Sequence, residues 1–132
     1  FNYIEDPEVG IRRIHQSLKS KGILLFSVEA RWGWAMARDV VAGSLDAFLE
    51  TGIVHIPHDR WIRTFSKESI EELLSDFTIL AIQPSHYSLS GPFEMIVEDL
   101  SLEELLKSEE KLRNHPVSGN LNRAWMVVAQ KN

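Results

Sequence analysis

The sequence predicts an α/β fold with a parallel sheet, on three observations. A strong helix start at Asp6-Pro7-Glu8 leads through a helical stripe to Gly22. A short, nearly continuous apolar run, Ile23 to Val28, follows that glycine directly. Helical and strand-like segments then alternate to the end of the chain, the pattern of βαβ construction.

Each element has a local reason. Phe1-Asn2-Tyr3-Ile4 reads as the last part of a strand. Asp6 is a carboxylate N-cap, Pro7 suits the first helical position, and Glu8 favours the positive end of the helix dipole. Val9, Ile11, Ile14 and Leu18 form one apolar stripe, and Gly22 supplies a left-handed stop. The run Ile23 to Val28 lacks alternation, which predicts a strand buried on both faces. Residues 31 to 50 read as a second helix through Trp34, Met36, Val40, Val41, Leu45, Phe48 and Leu49. A break or bend is expected at Gly33 or Gly43, since each costs about 1 kcal/mol relative to alanine.

Thr51-Gly52 ends that helix, and Ile53 to Arg63 reads as a loop or short extended ribbon. Ser66 caps a helix with Ile70, Leu73 and Leu74 on one face. Phe77 to Ile82 is the next strand, and Gln83 to Pro92 is turn-rich. Ser101-Leu102-Glu103-Glu104 is a capping box, whose helix stops before Pro116. Glu103, Glu104, Glu109 and Glu110 read as its solvated face, and His15 and His115 as surface residues. Ala124 to Ala129 forms the last strand.

The totals narrow the function. A chain of 132 residues suits one domain or a large piece of one. The net charge of −5, with Lys and Arg dispersed, argues against broad nucleic-acid binding. No apolar run approaches the ~20 residues that span a bilayer, so no membrane partner is expected. Cysteine is absent, which excludes disulfides and thiolate metal sites and fits a cytoplasmic location. His55 and His58 with Asp59 do not complete a common metal site, so no metal is expected.

Four segments resemble the class I S-adenosylmethionine-dependent methyltransferase family. Phe1 to Pro7 is similar to its fourth-strand tip and following turn. Leu18-Lys19-Ser20-Lys21-Gly22-Ile23-Leu24-Leu25 is similar to its LKPGG turn into strand five, with serine and lysine where proline and glycine are usual. Arg63-Thr64-Phe65-Ser66 and the helix before Phe77 resemble the segment before strand six. A last strand ending in Ala129-Gln130-Lys131 resembles the antiparallel seventh strand. The resemblance implies the carboxyl-terminal half of a Rossmann-like sheet, strands four to seven, over residues 1–132, with a helical and loop insertion at about 31–63. The family's glycine-rich loop and the acidic residue after its second strand have no counterpart here. The expected cofactor is therefore S-adenosylmethionine in the intact protein, with this piece supplying mainly the acceptor-side wall. An amino-terminal half of the same domain, or a second copy, is expected at the strand edge that Phe1 to Ile4 would leave open.

The candidate site residues lie at or near strand ends, where open α/β sheets bind ligands. By the resemblance, Phe1, Asn2 and Tyr3 face the cofactor and its methyl group; the alternative makes Tyr3 a packing residue and Asn2 a turn former. Arg31 and Trp34 follow the buried strand and are candidates for a small-molecule acceptor pocket, as are His55, Trp61, Arg63 and Tyr87. The alternative is an aromatic patch holding the helix against the sheet, with Glu29 and Arg31 as a solvated pair and Trp61 packed under a surface loop. His58 is the candidate general base, since imidazole titrates near neutrality.

Two other readings stay open. One is a non-catalytic methyltransferase-like module for interaction or dimerisation. The other is a different nucleotide-dependent α/β enzyme, which an upstream glycine-rich loop or nucleophile elbow would distinguish.

Overall fold

The computed structural model describes residues 1–36, 45–56, 58–87, 100–116, 119 and 121–132. Along the chain run α1 (Pro7–Ser17), β1 (Ile23–Glu29), α2 (Arg31–Met36), α3 (Leu45–Thr51), β2 (Ile53–His55), β3 (Trp61–Arg63), α4 (Lys67–Leu73), β4 (Phe77–Ser85), α5 (Leu102–Arg113) and β5 (Ala124–Lys131). The fold is a mixed α/β one with an antiparallel sheet and flanking helices.

The main sheet has the order β1-β5-β4, with β5 antiparallel to both neighbours. β1 and β4 therefore run in the same direction without touching. No two of the described strands pair in parallel, which corrects the expected parallel pairing, whereas the last strand is antiparallel as expected. The terminal strand inserts between the two strands that would otherwise have been parallel partners. Val28 faces Trp125 and Phe26 faces Val127 on one side of β5. On its other side Ile82 pairs with Val127 and Pro84 with Trp125, and the register shifts between Ile79 and Ala81. Pro84 lacks an amide donor and is tolerated because β4 is an edge among the described strands.

One face of this sheet carries the core. Val28, Phe77, Trp125, Val127 and Ala129 pack against Ile11 of α1 and Ile70 and Leu74 beside or within α4. Ile70 and Leu74 are fully buried, and each such side chain contributes roughly 1.5–3 kcal/mol of transfer free energy. The opposite face is apolar and open: Ile23, Leu25, Leu80 and Met126 are 50%, 64%, 53% and 38% exposed. The expectation of a strand buried on both faces is thus corrected. β1 alternates between covered and uncovered positions because, among the described residues, α1 and α4 pack on the face that carries Val28.

The helix caps follow the local chemistry. Asp6 accepts the Val9 amide at 2.9 Å, Ser66 and Ser69 form a reciprocal box at α4, and Ser101 and Glu104 do the same at α5. The left-handed residue after α1 is Lys21 (φ 62°), not Gly22. Glycine is still required at 22, because a Cβ there would lie 2.8 Å from the Lys19 carbonyl oxygen. α2 continues through Gly33, which packs against the Asn122 carbonyl, while Gly43 lies outside the described residues.

Phe1 to Ile4 is a turn rather than a strand end. Its backbone finds no ladder; Ile4 N–H closes on the Phe1 carbonyl and the Asn2 carbonyl accepts from Arg63. The ribbon at 53–63 is a two-stranded hairpin, β2 on β3. Val54, Ile62 and Phe48 of α3 form a second small core beneath it.

Two side-chain expectations also change. Glu109 is buried, and its two carboxylate oxygens accept the Tyr87 amide at 2.8 and 3.1 Å. It turns inward from the helix face that was expected to be solvated. Glu29 pairs with Arg123 at 3.0 Å rather than with Arg31; β1 lies beside β5, which Arg123 immediately precedes. His15 is only partly exposed, its ring edge-on to Phe77 at 5.0 Å.

Candidate functional site

Phe65 fixes the carboxyl end of β1. Its amide donates to Glu29, and its carbonyl accepts both the Arg31 amide at 2.9 Å and the Trp125 indole N–H at 3.1 Å. A carbonyl has two lone pairs, so one oxygen ties the start of α2 to the middle strand. Thr64 extends the tie: its amide and hydroxyl both donate to the Gly52 carbonyl, at 2.8 and 2.6 Å.

Beside this knot lies a cleft of about 430 Å³ between α1, α4 and the segment from Thr51 to Phe65. That volume falls in the range of small-molecule sites. Arg31, Arg63, Thr51 and Thr64 line it where the helices begin, and His15, Glu72, Ser75 and Asp76 line it further along. Burial pushes the Arg31 guanidinium below its usual pKa, and the charge of Glu68 opposes that shift. Gly52 has φ +70°, and a Cβ there would come within 2.7 Å of Arg31 Nη2 and 2.6 Å of the Thr64 carbonyl oxygen. Glycine is needed for the backbone and for the space that the guanidinium fills.

Arg63 borders a second, shallower cleft of about 300 Å³, which it shares with Glu5, Ile53, His55 and Trp61. Its Nη2 donates to the Glu5 carbonyl at 2.9 Å. Among the described residues, no three His, Cys, Asp or Glu side chains group so as to hold a metal ion, and no helix is long and apolar enough to cross a membrane.

The expected site residues divide. Arg31 and Arg63 share the first cleft, and His55, Trp61 and Arg63 the second. Phe1 packs edge-on against Phe26 at 5.0 Å. The Asn2 side-chain amide donates to the Arg63 carbonyl at 2.8 Å. Tyr3 is exposed, with the Arg60 guanidinium 5.6 Å over its ring. His58 is exposed at the hairpin turn with φ 61° and lines neither cleft. Tyr87 is fully buried and also lines neither. The Trp34 side chain lies outside the described residues. Sequence reasoning missed Glu5, Thr51, Gly52, Thr64 and Ser69. The one available signal was Gly52, read only as a helix stop.

The sequence matches no protein-family model and no curated protein. Among solved structures, the chain is similar to an S-adenosylmethionine dependent methyltransferase from Mesorhizobium loti, at 18% sequence identity and a TM-score of 0.58. The match covers 98% of this chain and 57% of that one. The likeness is one of fold, and the chain spans little more than half the length of that neighbour.

Proposed function

We propose that this chain forms the acceptor side of a methyltransferase-like domain that moves a methyl group from S-adenosylmethionine to a small-molecule acceptor. The observation that carries the reading is the course of β5, a terminal strand running antiparallel between two strands of common direction. A strand of that kind is what the resemblance to strands four to seven implies, and the fold likeness over 98% of the chain supports it.

Chemistry in such a transfer is displacement at the sulfonium methyl, so the protein acts mainly by positioning. The two clefts meeting at Arg63 are the proposed acceptor pocket, with Arg31, His55 and Trp61 as its walls and Trp34 and Tyr87 as its further candidates. His58 is the proposed base, a role that requires the acceptor to reach the hairpin turn. Among the described residues no complete cradle for the cofactor is formed. On its proposed side, Phe1 is packed on Phe26, the Asn2 amide is engaged by Arg63, and Tyr3 is the exposed member. The glycine-rich part of the site is therefore assigned to residues outside this chain, and a cytoplasmic location belongs to the same reading.

The test is formation of S-adenosylhomocysteine by the longest natural protein containing residues 1–132, supplied with the methyl donor and a library of small acids, amines and phenols. Turnover above a donor-only control supports the reading, and none across the library counts against it.

The open sheet face favours a second reading, an interaction module that pairs with another copy. Ile23, Leu25, Leu80 and Met126 make that face apolar. Size-exclusion mass separates the two: a stable dimer of the 132-residue chain that Leu25→Lys dissolves supports self-pairing.

A further inference from the structure

Trp61 stands apart from both cores. It is partly exposed, and among the described residues it packs with neither buried cluster and meets no other ring. The pairing of β2 with β3 decides what shares its face of the hairpin. His55 lies directly opposite Trp61, and Ile53 opposite Arg63. Val54 and Ile62, between them, belong to the small core beneath. Side chains alternate along a strand, and directly opposed residues have Cβ atoms about 4.5–5.5 Å apart. Imidazole and indole therefore share the outer face, with Ile53 and Arg63 as the next pair along it. These four residues and Glu5 line the cleft of about 300 Å³.

That face is built before any ligand arrives. The Arg63 backbone is bonded to Asn2 on both its amide and its carbonyl, and its Nη2 donates to the Glu5 carbonyl. Charge does not choose the ligand, because one carboxylate, Glu5, stands against one cation, Arg63. Neither sign of ion gains from a lining that is balanced. The open ring of Trp61 does choose: a flat aromatic ligand meets it in the offset or edge-on arrangements that aromatic pairs favour, and a puckered ring does not. His55 is exposed, and its ring makes no hydrogen bond among the described residues. A neutral imidazole carries one donor and one acceptor nitrogen, so it can meet a hydroxyl on the edge of such a ring. The volume lies at the small end of the range for small-molecule sites, which suits one or two rings.

We infer that the outer face of the hairpin, with Trp61 as shelf and His55 as polar edge, binds a neutral hydroxylated aromatic ring. This assignment rests on the acceptor-pocket reading above and names the substrate class of that pocket, a phenol.

The test titrates the 132-residue protein with phenol, and separately with cyclohexanol, which has a hydroxyl on a saturated ring. It follows the Trp61 indole N–H and the His55 ring signals by heteronuclear NMR, assigned by triple-resonance spectroscopy. The expected result is a saturable shift of both signals together, with phenol bound about fivefold tighter than cyclohexanol. Trp61→Ala should abolish that preference, and Trp61→Phe should keep most of it. The wild-type comparison stands alone if a variant does not fold. No saturation with phenol, equal affinity for cyclohexanol, or shifts confined to residues of the first cleft overturns the site. Phenol binding by a protein that transfers no methyl group keeps this site and removes the methyl-transfer reading. Methyl transfer to aliphatic acceptors only, without phenol binding at the hairpin, does the reverse.

Discussion

Asn2 and Arg63 hold each other by two hydrogen bonds of 2.8 Å. The Arg63 amide donates to the Asn2 carbonyl, and the Asn2 side-chain amide donates to the Arg63 carbonyl. This reciprocal pair fastens the start of the chain to β3 and sets the position of the guanidinium that both clefts share. Asn2→Ala removes one of the two bonds and is expected to lower stability by about 1 kcal/mol. In thermal unfolding that is a fall in Tm of about 3–6 °C. An unchanged Tm would mean that the pair is not formed in solution.

Gly52 is the second support of the cleft. Gly52→Ala places a methyl group against Arg31 and the Thr64 carbonyl in a left-handed conformation. A loss of about 1–3 kcal/mol is expected from the backbone strain alone. Gly119→Ala, where a Cβ meets nothing within 4 Å, is the control and should stay within about 0.5 kcal/mol. Chemical denaturation of the two variants checks the contrast.

Glu109 is expected to tolerate amidation better than truncation. Glu109→Gln keeps an acceptor oxygen for the Tyr87 amide, while Glu109→Ala removes both oxygens from a buried donor. The alanine variant should lose about 1–3 kcal/mol and the glutamine variant clearly less. Equal losses, measured by denaturant titration, would mean that the carboxylate is not the acceptor.

Acid should weaken the start of α5. The hydroxyl and the amide of Ser101 hold the Glu104 carboxylate below its ordinary value of 4.5. A carboxylate whose pKa is lowered by folding stabilises the protein above its unfolded value, and that contribution fades as pH falls through the lowered one. Glu104→Gln should therefore show a constant stability deficit between about pH 5 and pH 7 that shrinks below about pH 4. A deficit independent of pH would contradict the assignment.

What could be read from the sequence was local. Asp6, Ser66 and Ser101 announce their helices because a cap is a bond across three residues, and the side chains that make it are specific. The strands were visible as apolar runs at 23–28, 77–82 and 124–129, short of their ends at Glu29, Ser85 and Lys131, but their order was not. The antiparallel sense of β5 is implied by the resemblance, but its place between β1 and β4 depends on pairings such as Leu24 with Ala129, which no local pattern encodes. Ile23 and Leu25 were misread for a related reason, since apolarity does not say whether another element covers it. Arg31 and Arg63 could be named as candidates because they follow or sit on strands, and both line the first cleft. Thr51, Gly52 and Thr64 were missed because their part in the cleft arises from contacts through space. Glu109 was misplaced because a helical charge pattern cannot show that the Tyr87 amide needs an acceptor.

The most direct measurement is calorimetric titration of S-adenosylmethionine into two samples: the 132-residue chain, and the longest natural protein containing residues 1–132. The account predicts saturable micromolar binding by the longer protein and none by the shorter. Micromolar binding by the 132 residues alone, or no binding by the longer protein, would contradict it.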